Sequence, residues 1–175
     1  GIGYLRQNKP QLARKKLETA IKLNPDLATA HAALGVVFER LEDPAGAERH
    51  YKRAVDLEPQ NPDNLNALAV FTCQRKREPR EALQLFDRAL AIPLSVSAAN
   101  RAMLDTNAGT CAKTVDLLLA ERYLRAALIE NPDYIRITHH TLKRTRNSPG
   151  PLIATARAPP GKHVSPPAPP TAAQR

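Results

Sequence analysis

The sequence predicts an all-α chain of stacked helical hairpins followed by a disordered basic tail. Three observations carry that prediction. Ala and Leu dominate the first three quarters of the 175 residues, while aromatic residues make up only 4% and Trp is absent, a composition that disfavours a Val-, Ile- and Tyr-rich sandwich or barrel. Helix-length Ala/Leu segments close on similar tripeptides, Asn24-Pro25-Asp26, Glu58-Pro59-Gln60 and Asn131-Pro132-Asp133. The charge is also uneven: the stretch 135–175 holds seven Lys and Arg and no acidic residue, within a total of 26 basic and 17 acidic residues. At 42% hydrophobic, the body can bury a sizeable core. No apolar run reaches the roughly 18 residues that a membrane-spanning helix needs.

The closing prolines set the register. Pro25 and Pro59 are 34 residues apart. Counting back from each closing proline, an alanine recurs at five residues (Ala20, Ala54, Ala127), a larger residue at eight (Leu17, Tyr51, Leu124) and a marker alanine at twelve (Ala13, Ala47, Ala120). Hairpin one, 1–25, carries Gly1 and Tyr4 at the offsets that Gly35 and Phe38 occupy in hairpin two. Gly1 already holds the small position midway through a first helix, so the opening seven residues of that helix are expected upstream of the sequence. Hairpin two, 28–59, is the most regular. Small residues at Gly35, Ala47 and Ala54 let two antiparallel helices approach, and Leu34, Phe38, Tyr51 and Leu57 fill the space around them. Pro59 ends its second helix, because proline lacks the amide donor and clashes with the preceding turn; Pro62 suits the first turn of the next helix, where no donor is needed. Hairpin three, 62–92, spans thirteen residues from Ala69 to Ala82 instead of twelve, which places one extra residue in the turn from Arg75 to Arg80. Hairpin four, 98–132, follows a longer approach from Pro93 to Asn100 and puts Ala108 in the glycine place and Cys111 in the aromatic place. Single hairpins cannot bury their own faces, so they stack into a solenoid whose first helices line a concave groove.

The organisation that follows is a repeat array over 1–134 and a separate segment, 135–175. That segment holds Pro159-Pro160, Pro166-Pro167 and Pro169-Pro170 among Ala, Ser and Thr, and cannot bury enough apolar surface to offset its ordering entropy. A basic tail and an out-of-frame gene end both account for the seam after Tyr134.

The residues Leu34-Gly35, Phe38, Ala47, Tyr51, Ala54 and Pro59 resemble the tetratricopeptide repeat. Within that class, the run Glu78 to Leu90 (EPREALQLFDRAL) after a lengthened turn, then Pro93, Asn107 to Lys113 (NAGTCAK) and Cys73, resembles the type IV pilus biogenesis and stability lipoproteins of the PilW/PilF family over about residues 1–134. The resemblance implies a periplasmic protein–protein interaction scaffold that is held at the outer membrane by a lipidated cysteine and helps the pilus secretin to assemble. It implies as partner the secretin or another pilus assembly component. The lipid-anchor cysteine and signal peptide are not in this sequence, so membrane attachment rests on resemblance alone. The fold by itself also allows a cytoplasmic tetratricopeptide adaptor that binds peptides as co-chaperones do.

Cys73 and Cys111 stand nine residues before Ala82 and Ala120, on equivalent turns of adjacent first helices. Helices packed about 8–10 Å apart bring such positions near bonding range, and two buried free thiols are equally compatible with the spacing. The oxidising periplasm implied by the resemblance selects the disulfide. Repeat geometry assigns Ala32, Val36, Glu39 and Arg40 of hairpin two and Asn66, Val70 and Gln74 of hairpin three to the groove, as the surface for a protein or peptide partner. Ala32 and Val36 fall where a clamp for an acidic C-terminus would need polar side chains, so an apolar or mixed peptide fits better.

Other chemistry has little material. Two thiols without a nearby histidine do not make a zinc site. His31 and His50 read as packing or surface residues, and His139-His140 as a solvated pair. No phosphate loop, nucleophile elbow or paired carboxylates occur, so no enzyme, cofactor, metal or small-molecule substrate is expected. Arg14-Lys15-Lys16 reads as a solvated helix face and Arg75-Lys76-Arg77 as part of the turn; with no interleaved aromatics for base stacking, nucleic acid is disfavoured as a partner.

Overall fold

The computed structural model describes residues 1–92 and 97–131. Pro93, the seam after Tyr134 and the segment 135–175 lie outside the described residues. Among the described residues the chain forms α1 (Ile2–Arg6), α2 (Pro10–Leu23), α3 (Ala28–Arg40), α4 (Pro44–Leu57), α5 (Pro62–Phe71), a π-helical turn (Thr72–Lys76), α6 (Pro79–Leu90), α7 (Ala98–Ala112) and α8 (Leu117–Glu130), with no strand. The helices pair as α1 with α2, α3 with α4, α5 with α6 and α7 with α8, and successive hairpins stack through α2 on α3, α4 on α5 and α6 on α7.

Local chemistry sets the element ends. Pro10, Pro44, Pro62 and Pro79 each open a helix, where the missing N–H costs nothing. Asp43 caps α4 by accepting from Gly46 N, Asn61 caps α5 and Asp116 caps α8. Asn8, Glu42 and Arg77 take the left-handed conformation between the helices of hairpins one to three, with φ of 54°, 56° and 58°. Each stands five residues before its marker alanine, so the turn is the same in all three.

That constancy relocates the extra residue of hairpin three. It was expected in the turn from Arg75 to Arg80, but it is absorbed upstream, where the helix widens into the π turn and Arg77 N–H donates to Thr72 O. A π turn accommodates one more residue without breaking the helix.

The core runs between the two helix layers. Ala13, Ala47, Ala82 and Ala120 are fully buried, with Leu34, Leu65, Phe71, Phe86 and Leu124 packed around them. A Cβ added at Gly35 would enter the Tyr51 ring, one at Gly1 would enter Leu17, and one at Gly109 would come within 2.7 Å of Leu124. All three partners lie four residues past a marker alanine. Gly109, and not Ala108 as the spacing suggested, therefore takes the glycine place in hairpin four, which is one residue shorter from there to its marker. Counted from Gly109, Ala112 and not Cys111 falls in the place of Phe38, and both residues are buried.

Candidate partner-binding groove

The first helices α1, α3, α5 and α7 follow one another along the stack: Arg40 of α3 reaches the Leu5 main chain of α1, Arg75 in the turn after α5 reaches that of Glu39 in α3, and α5 touches α7 directly. One row crosses all of them. The residue after each small position is Ile2, Val36, Val70 and Thr110; Ile2 is 51% exposed, Thr110 is exposed, and Val36 and Val70 are half-buried against the core beneath. Ala32 and Asn66, one turn earlier, are also half-buried. Asn107 Nδ2 donates to Asn66 Oδ1 at 3.0 Å, which ties α7 to α5 and leaves the Asn66 amide N–H and the Asn107 carbonyl oxygen for a main chain laid along the groove. Ile2, Asn107 and Thr110 were missed from sequence. Ile2 was legible as the residue after Gly1, whereas the misplaced glycine position in hairpin four concealed the other two.

Glu39 and Arg40 hold the repeats together. Arg40 donates to the main-chain oxygen of Leu5 at 2.6 Å, and Arg75 donates to that of Glu39 at 3.4 Å. Both arginines stand seven residues before a marker alanine and reach back to the residue eight before the preceding marker, so one contact is repeated one hairpin further on. Glu39 accepts from the Tyr51 hydroxyl at 2.7 Å, and burial with this hydrogen bond pushes the Tyr51 pKa up. Gln74 is exposed in the π turn. Two residues of the basic run beside it are paired: Arg75 meets Glu42 at 3.2 Å, and Lys76 meets Glu78 at 2.6 Å and Glu48 at 3.2 Å.

At the edge of the groove Cys73 and Cys111 are joined in a disulfide with Cα atoms 6.1 Å apart. Their equal offsets from the marker alanines conceal unequal positions. Cys73 follows Ala69 by four residues and Cys111 follows Gly109 by two, so the bridge joins the lengthened helix of hairpin three to the shortened one of hairpin four. Among the described residues no cluster of His, Cys, Asp and Glu could hold a metal ion.

His50 and Asp105 are the perturbed groups that bear on stability in mild acid. His31 Nε2 lies 3.0 Å from Pro25 O and must donate to it, while His31 Nδ1 and His50 Nδ1 share a hydrogen bond at 3.0 Å. His50 stacks on Phe38, and burial, followed by the charges of His31 and Arg49, pushes its pKa down to about 4. Burial raises the Asp105 carboxyl in α7 to about 6, partly opposed by Arg101. The signs oppose. His50 stabilises the fold above about pH 6.5, and this is lost as pH falls toward 4. Asp105 costs stability above about pH 6, and this is recovered as pH falls toward 3.8. Asp105→Asn should therefore raise stability at pH 7.5 by about 1–2 kcal/mol and expose a steeper acid loss than the parent shows, readable as melting temperature against pH.

A tetratricopeptide repeat signature matches residues 1–64. The type IV pilus assembly protein PilF of Pseudomonas aeruginosa is 35% identical over 77 residues, which are 44% of this chain and 31% of that protein. The crystal structure of PilW, a widely conserved type IV pilus biogenesis factor, superimposes with a TM-score of 0.75 at 26% identity, covering 83% of this chain and 64% of PilW. The Pseudomonas aeruginosa PilF structure gives 0.74 at 28% identity, covering 83% of this chain and 66% of that one. The chain thus spans about a third of the PilF sequence and just under two thirds of each solved structure. Its fold is a tetratricopeptide-repeat solenoid, and the chain is similar in sequence and in fold to the type IV pilus proteins PilF and PilW.

Proposed function

We propose that this chain is the repeat module of a periplasmic, outer-membrane-anchored scaffold for type IV pilus biogenesis, which binds a segment of the pilus secretin or of another assembly component in its groove. The observation that carries this reading is the convergence of sequence and fold comparisons on pilus proteins. The groove chemistry supports it. Ile2, Val36 and Val70 offer an apolar row, and the Asn66–Asn107 pair offers one donor and one acceptor to a bound main chain. A co-chaperone-like adaptor fits less well, because Ala32 and Val36 stand where a carboxylate clamp would place polar groups. No side chain is assigned a catalytic role.

The test is deletion of the complete gene in its own bacterium. Surface pili and stable secretin multimers should be lost, and both should return with the gene on a plasmid. Unchanged pili in the deletion strain would overturn the reading.

A further inference from the structure

The outward face of α2 takes no part in the groove, the bridge or the contacts between repeats. This helix buries Ala13 and Leu17 and turns Leu12, Lys15, Lys16, Lys22 and Leu23 to solvent. At about 100° per residue these five fall in an arc of roughly 120° opposite Leu17. Leu23 is 84% exposed and Leu12 37%. The arc holds no acid: Glu18 lies beside it and is paired with Arg14 at 2.7 Å. None of the three lysines enters an ion pair among the described residues. Thr19, the remaining residue of the arc, spends its hydroxyl on Lys15 O at 2.9 Å. The matching arcs of α4 and α6 differ, since Asp56 accompanies Arg49 and Arg53 on one and Glu81 accompanies Arg88 on the other.

We propose that this face of α2 docks on an anionic phospholipid bilayer. Unpaired lysines are attracted to anionic headgroups, and leucines protruding among them gain by leaving water at the acyl boundary. A nucleic acid would use the lysines but would give the leucines nothing, and the arc offers neither aromatic rings for stacking nor a free hydroxyl or amide for base edges. α2 is a second helix, on the side of the array away from the groove, so a docked chain keeps the groove open to its partner.

The experiment is co-sedimentation of the full chain with vesicles of phosphatidylglycerol and phosphatidylethanolamine, at low salt and at about 0.5 M salt. The parent should bind at low salt. Lys15→Gln/Lys16→Gln/Lys22→Gln should lower the partition coefficient about a hundredfold, at about fivefold per lysine. Leu12→Ser/Leu23→Ser should lower it about tenfold at equal charge. The changed side chains face solvent, so circular dichroism should be unchanged, and the basic segment 135–175 is present in every variant. A parent that ignores the vesicles, or a lysine variant that partitions like the parent, overturns the proposal. So does a leucine variant that partitions like the parent while duplex DNA displaces the vesicles, because the face would then be a general polyanion surface.

Discussion

Replacing both bridge residues, Cys73→Ala/Cys111→Ala, should cost the array about 3–4 kcal/mol. The bond closes a separation of 38 residues, and in the loop-entropy account its removal returns that freedom to the unfolded chain. The native state loses little else, since alanine replaces a cysteine that behaves as a small buried hydrophobe. The loss should concentrate in hairpins three and four. Repeat arrays are held together by neighbour contacts, and the bridge is the covalent link between the two irregular units, one a residue longer and the other a residue shorter than hairpin two. Denaturant unfolding should move to a lower midpoint and broaden, with α7 and α8 separating before α3 and α4. Reductant should carry the parent to the same curve. A midpoint shift worth less than about 1 kcal/mol would mean that packing alone joins these hairpins.

Much of this fold was legible because the repeat writes the same physical requirement several times. A small residue must face the bulky one four places after each marker alanine, and Gly1 with Leu17 and Gly35 with Tyr51 satisfy it visibly. Proline positions gave the helix ends within a few residues for the same reason. The failures came where spacing changed and two explanations were degenerate. An extra residue between Ala69 and Ala82 can widen a turn or a helix, and only the fixed left-handed residue Arg77 decides for the helix. Ala108 and Gly109 are both small and adjacent, and their difference shows only when Gly109 meets Leu124. Among the groove residues, Ala32, Val36, Asn66 and Val70 follow from repeat geometry. That Glu39 and Arg40 are occupied does not, because their partners come from Tyr51 and from another hairpin's main chain. The His31–His50 pair was hidden likewise, since the two residues meet only once α3 and α4 pack.

The second large effect belongs to the groove. Val36→Glu combined with Val70→Glu places two carboxylates in the row that a partner would cover. Both valines are half-buried with one side open to solvent, so the variant should stay folded and lose about 1–2 kcal/mol of stability relative to the parent. On binding, each carboxylate would be stripped of water without a counter-charge, at a cost on the order of 2–3 kcal/mol apiece, enough to weaken a partner by a thousandfold or more. The direct measurement is the number of surface pili in the deletion strain carrying the complete gene with this pair of substitutions. The account predicts a helical, normally accumulating protein and cells without pili. Full piliation by that same stable variant would contradict it, and the groove would not be the working surface.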